Sequence, residues 1–118
     1  MNYQNNSDKK TIIIKTQIDY IKIPIDEILF CIADGSYSIL YLNDGSKVLV
    51  SKCLAKIEEL LKNSDFIRCH NSYLVNVNRI ERFNRKRKIL IVAGMTIPVS
   101  RRRYQMTRMK FSSFNNQL

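Results

Sequence analysis

Apolar residues fall along this chain in short runs of strand length, separated by breaks rich in glycine, asparagine and aspartate. Thr11 to Ile23 is rich in isoleucine and tyrosine with partial alternation, the pattern of one bent strand or two short ones, and Pro24 ends it. Ile25-Asp26-Glu27 is a short connection, and the continuous apolar run Ile28 to Ala33 predicts a buried strand. Asp34-Gly35 signals a turn into Ser36 to Leu42, and Asn43-Asp44-Gly45 a second turn into Lys47 to Val50. These three strands form a meander.

The period then changes. Ser51 stands where an N-cap belongs, ahead of Lys52 to Lys62, in which Leu54, Ile57 and Leu61 share one helical face with Leu60 beside it. That stripe is a core face. Asn63-Ser64-Asp65 breaks the helix, and Phe66 to Ile80 follows, a stretch that sets Arg68, His70, Asn71 and Ser72 between apolar residues able to bury and hold them rigid. Arg79 to Phe83 and Lys88 to Ala93 predict a hairpin across the basic turn Asn84 to Lys88; Gly94 turns into Met95 to Val99, and Ser100 caps a short helix opening with Arg101-Arg102-Arg103. The expectation is a mainly β, antiparallel fold of roughly seven to nine short strands with one central helix and one short C-terminal helix. It forms one domain over residues 11–111, with flexible tails at 1–10 and 112–118.

At 118 residues the chain fits one domain with a real core but not a catalytic domain plus a sensor. The formal charge of +10 is unevenly placed: residues 1–78 hold nine Lys/Arg against nine Asp/Glu, and residues 79–118 hold eleven against Glu81 alone. A balanced scaffold with one basic surface suits phosphate-backbone binding, because each neutralised phosphate releases counterions whatever the sequence. Cys31, Cys53 and Cys69 are odd in number and in no C-x-x-C arrangement, so they predict reduced thiols rather than a disulfide framework or a zinc site. Arg68 and His70 could lower the Cys69 thiol pKa, but the strand-like pattern around it favours an inert residue. The first ten residues lack the apolar core of a signal peptide, and no apolar run approaches the roughly 20 residues that span a bilayer, so a soluble, cytoplasmic protein is expected.

Catalysis finds little support. His70 is the sole histidine and has no partner that spacing picks out; the pairs Asp26-Glu27 and Glu58-Glu59 point apart; and there is no glycine-rich phosphate loop or ligand cluster that would call for a cofactor or metal. Binding fares better. Arg donates bidentately to guanine and Asn to adenine, while histidine or a tyrosine hydroxyl can bond to base or phosphate. Such residues gather at Gly35-Ser36-Tyr37, at His70-Asn71-Ser72 and at Ser100-Arg101-Arg102-Arg103, where a helix N-terminus would also attract phosphate. Arg68 and the turn Arg85-Lys86-Arg87 add cations suited to the DNA backbone.

Together these features resemble a known family. Residues 12 to 111 are similar to a LytTR domain, the mainly β DNA-binding module at the end of many bacterial response regulators. The resemblance is carried by Ile28-Leu29-Phe30 before Gly35-x-Tyr37, by the Ser51-to-Leu61 helix, by Phe66-x-Arg68-x-His70-x-Ser72-Tyr73-Leu74-Val75-Asn76, and by Ile97-Pro98-Val99-Ser100-Arg101-Arg102. It implies short sheets whose loops, rather than a recognition helix, enter successive major grooves. On that footing Tyr37, His70 with Asn71, and Arg101 with Arg102 fall on base-reading loops, and Lys52, Ser72 and Ser100 near backbone contacts; Ser36 and Arg103, which flank them, are expected to contact the DNA backbone as well. It also implies paired DNA repeats bound by two copies.

The chain departs from the family in two ways. Many members carry Arg where Asn71 stands, which would change the base read there. A receiver domain usually lies upstream, and here a short polar tail does, so the expectation is a stand-alone transcriptional regulator set by abundance or by a regulatory protein partner. Two other readings suit the basic last third: an RNA-binding or ribosome-associated protein, and a protein-interaction module held by a membrane or cytosolic partner. Against the first, the aromatic residues form no evident stacking platform for unpaired bases. Against membrane attachment, Tyr104, Phe111 and Phe114 lie on one helical arc but Met106 and Met109 on another.

Overall fold

Strand β3 (Ile28–Asp34) lies at the middle of the computed structural model, which describes residues 10–114. It pairs antiparallel with β4 (Tyr37–Leu42) on one side and β7 (Tyr73–Asn76) on the other; β5 (Lys47–Val50) and β6 (Phe66–His70) complete a five-stranded sheet of order β5-β4-β3-β7-β6. The apolar run in β3 has its reason in this position, because both faces of the sheet are covered. Ile28 and Cys31 pack into one core with Leu54, Ile57 and Leu61, whereas Leu29 and Phe30 pack into a second with Leu90, Val92, Ile97 and Val99. Two consecutive residues share a side because the register shifts between Ile28 and Phe30, a bulge that lets β3 serve both cores.

The first core is closed by the two-stranded sheet β1 (Thr11–Lys15) and β2 (Tyr20–Pro24), through Ile12, Ile14 and Ile23, and by helix α1 (Leu54–Leu60). The second is closed by a three-stranded sheet of β8 (Ile80–Asn84), β9 (Ile89–Val92) and β10 (Met95–Pro98), in the order β10-β9-β8, and by helix α2 (Tyr104–Phe114). Phe83 holds α2 through edge-on contacts to Tyr104 at 5.8 Å and Phe111 at 5.6 Å. Met106 and Met109 lie on its exposed side.

The mainly β architecture, the central meander and the core stripe of α1 match the sequence expectation; several boundaries do not. The described residues hold ten strands, because Thr11 to Pro24 divides at the Thr16–Asp19 turn and the stretch from Phe66 divides at Asn71-Ser72 into two strands. Ser51 does not cap α1: its amide donates to the Lys15 carbonyl at 3.0 Å, Ser38 Oγ holds the Lys52 carbonyl at 2.7 Å, and the helix opens only at Leu54, with Cys53 in the cap position and no side-chain cap bond. Tertiary contacts to β1 and β4 thus delay the helix by two residues. Arg101 to Arg103 form a tight turn ahead of α2 rather than its first turn. Helix α2 runs to Phe114, three residues past the expected domain edge at 111, so residues 112–114 are helical rather than tail. Residues 1–9 and 115–118, the remainder of the expected tails, lie outside the described residues, as does the side chain of Phe114.

Candidate nucleic-acid interface

Antiparallel pairing brings three loops to one end of the central sheet. The β3–β4 turn, the β6–β7 turn and the segment after β5 all emerge there, as the pairings Ile32 with Tyr73 and Ser38 with Val50 require. Backbone bonds lock the loops together: the Ala33 amide donates to the Ser72 carbonyl at 2.9 Å, and the Ser100 amide donates to the Cys69 carbonyl at 3.0 Å, which hangs the loop before α2 from the end of β6. The β8–β9 turn joins from the side. There the Val99 amide donates to the Lys88 carbonyl at 2.9 Å, and Lys88 Nζ sits 5.1 Å from the centre of the Tyr104 ring. Lys88 holds a positive φ of 56°, a strained backbone for a side chain of its size, and these two contacts fix it.

The expected site residues lie on these loops or beside them. Gly35, at a φ of +61°, makes the tight turn that presents Ser36 and Tyr37. Ser36 is exposed and Tyr37 half-buried, its hydroxyl accepting from Gln17 Nε2 at 3.0 Å. His70 is half-buried, edge-on to Tyr73 at 5.6 Å, and its Nδ1 accepts from the Ser72 amide at 3.0 Å. An accepting Nδ1 puts the ring N–H on Nε2. Asn71 at the loop tip is exposed. Lys52, Arg85, Lys86, Arg87, Arg101 and Arg102 are exposed as well. Ser100 is half-buried, and its hydroxyl accepts from the Arg103 amide at 3.2 Å. This bond satisfies a donor of the turn that displays Arg101 and Arg102.

Two cationic residues are held inward. Arg103 is half-buried and donates through Nη1 to the Arg68 carbonyl at 3.4 Å. Arg68 is more deeply engaged: Nε donates to the His70 carbonyl at 3.1 Å, Nη2 to the Asn71 carbonyl at 2.7 Å, and Nη1 pairs with Glu58 Oε1 at 2.7 Å. Its guanidinium therefore braces the β6–β7 loop instead of facing outward as a cation for phosphate.

Sequence reasoning passed over three residues. Glu58 sits at the border of the apolar stripe of α1, and that border position was its only local signal. Gln17 reaches Tyr37 across the fold, which no local pattern reveals. Lys88 was counted only as part of a basic turn. Cys69, by contrast, lies as expected: it is buried, and burial pushes its thiol pKa up to about 12, against the opposing pull of a backbone hydrogen bond and of Arg103 and Arg68. Burial raises Cys31 as well, and all three cysteines are free.

At the opposite end of the sheet a hollow of about 390 Å³ is bordered by Ile25 and Phe66 and by the polar residues Asp26, Asp65, Asn78 and Arg79. Asn78 Nδ2 donates to the Asp65 carboxylate, and the Arg79 guanidinium to the Asp26 carbonyl, so these groups knit the turns together. Among the described residues no three His, Cys, Asp or Glu side chains are grouped to hold a metal ion, and no helix is long and apolar enough to cross a membrane.

Residues 18–112 match the LytTR family, described as the LytTr DNA-binding domain. Among solved structures, the chain is similar to the LytTr DNA-binding domain of a protein of Bacillus cereus described as a methyl-accepting/DNA response regulator. The two share 27% sequence identity at a TM-score of 0.72, over 86% of this chain and 96% of that one. No curated protein matches. The family is one of DNA-binding modules and not of enzymes. With most of its length matched and its fold shared, the chain belongs to the LytTR family of DNA-binding domains.

Proposed function

We propose that the chain is a transcriptional regulator that recognises double-stranded DNA by sequence, placing three loops into the major groove. The observation that supports this most directly is convergence. Tyr37, His70 with Asn71, and Arg101 with Arg102 come from distant parts of the sequence and emerge at one end of the fold, on loops tied to one another by backbone hydrogen bonds. Groups able to read bases are useful only when the scaffold fixes them, because a base contact requires donor and acceptor to meet at about 3 Å. In this reading Arg101 and Arg102 donate to guanine, the Asn71 amide to adenine, and His70 Nε2 and the Tyr37 hydroxyl add single bonds.

Lys52, Arg85, Lys86 and Arg87, with the hydroxyls of Ser36, Ser72 and Ser100, would then meet the phosphates and set the register. The bracing role of Arg68 and the inward contact of Arg103 move both out of the phosphate-contacting group. All of these loops belong to one folded unit, which supports binding without a second domain, as in a stand-alone regulator. Two copies on paired repeats complete the proposal. Footprinting at saturation tests it, with two protected half-sites expected; protection of one alone would contradict the paired arrangement.

A further inference from the structure

Arg68 is an unusual cation for the edge of a DNA-binding surface, because its side chain is only 15% exposed and each of its three nitrogens has a partner within the protein. The planar fork grips the carbonyls of His70 and Asn71 together, so neither peptide can turn without losing a charge-assisted bond. Its third nitrogen is anchored by Glu58, on α1 and outside the loop, at 2.7 Å. The same stretch of β6 also holds the other arginine-bearing loop: the Arg68 carbonyl accepts from Arg103 Nη1, and the Cys69 carbonyl from the Ser100 amide. One strand end thus indexes both the His70–Asn71 loop and the Arg101–Arg102 loop, and the Glu58–Arg68 pair fixes it to α1.

We propose that Glu58 and Arg68 are positioning residues that set the spacing of these two loops, so that their output is discrimination between DNA sequences rather than attraction to phosphate. The inference rests on the base-reading proposal above. A carboxylate already paired with the guanidinium opposes any phosphate approaching it, which separates Arg68 from the exposed cations of the β8–β9 turn.

The test uses the full chain, wild type and the variants Arg68→Lys, Glu58→Gln and the double substitution. Affinity is measured on a duplex selected for binding and on a scrambled duplex of equal length, at two salt concentrations, with thermal unfolding recorded for each protein. Arg68→Lys keeps the charge but loses the fork. It is expected to weaken binding to the selected duplex on the order of tenfold while leaving the scrambled duplex and the salt dependence unchanged. Glu58→Gln should lose discrimination in the same direction, and the double variant should be little worse than Arg68→Lys, since the two residues act as one unit.

Equal weakening on both duplexes with a flatter salt dependence would make Arg68 a phosphate contact and overturn the inference. Full discrimination in both single variants would overturn it as well. If Arg68→Lys does not fold, Glu58→Gln decides alone, by loss or retention of discrimination. A wild-type protein that treats both duplexes alike would instead overturn the base-reading proposal, a result visible before any variant is compared.

Discussion

Arg101, Arg102 and Arg103 are consecutive and chemically identical, yet the fold separates them: the first two are exposed, and the third is half-buried against the Arg68 carbonyl. Identity alone could not make that distinction, because it depends on the Ser100 turn hanging from β6. Replacing Arg101 or Arg102 by Ala should cost about 1–3 kcal/mol on the preferred site and relax the choice of base at one position. Lys86→Ala, on the exposed β8–β9 turn, should weaken all duplexes alike and reduce the salt slope by about one. Fluorescence anisotropy titrations across salt distinguish the two classes, and equal behaviour would contradict the division of roles. The cysteines make a second test at this scale. Cys53 is half-buried, whereas Cys69 is buried with a thiol raised to about 12. At pH 8 a thiol reagent should therefore modify Cys53 first and reach Cys69 and Cys31 only on unfolding; prompt modification of Cys69 would show a more open β6.

Elements were legible to the degree that their signals were local. The meander declared itself through Asp34-Gly35 and Asn43-Asp44-Gly45, and α1 through Leu54, Ile57 and Leu61, because turn chemistry and helical period act over a few residues. Cap positions were less legible, since they depend on what the flanking backbone bonds to elsewhere. Ser51 has the right residue type ahead of a helix, but its amide is drawn to Lys15 and the helix opens at Leu54; Ser100 has the same type, and its hydroxyl accepts from Arg103, but within the turn ahead of α2 and not at the helix cap. Chemical denaturation of Ser100→Ala should consequently show a loss of about 0.5–2 kcal/mol, while Ser51→Ala stays within about 0.5 kcal/mol of wild type. The reverse order would mean that the helix boundaries are misplaced. The bulge at Leu29 was invisible beforehand, because a continuous apolar run does not say which side each residue faces.

At the scale of the molecule, a central sheet buried on both faces carries its loops on a rigid end, and the two cores share β3. Truncating Leu40, fully buried in the first core, or Phe30, stacked on Tyr41 at 4.5 Å in the second, should each cost about 2–5 kcal/mol of stability. Either loss should appear as a single cooperative transition shifted to lower denaturant; separate transitions would mean that the two cores unfold independently. The proposed reading edge stands in the sequence as three clusters of residues, but their convergence was not legible there, because it arises from strand pairing between positions as distant as Ile32 and Tyr73. The central claim is that this edge reads sequence and does not merely attract phosphate. Selection of bound duplexes from a random DNA pool at two salt concentrations tests it most directly. The account predicts enrichment of a pair of spaced repeats that survives the higher salt, whereas binding that fades with salt and enriches no sequence would reduce the edge to an electrostatic patch and contradict it.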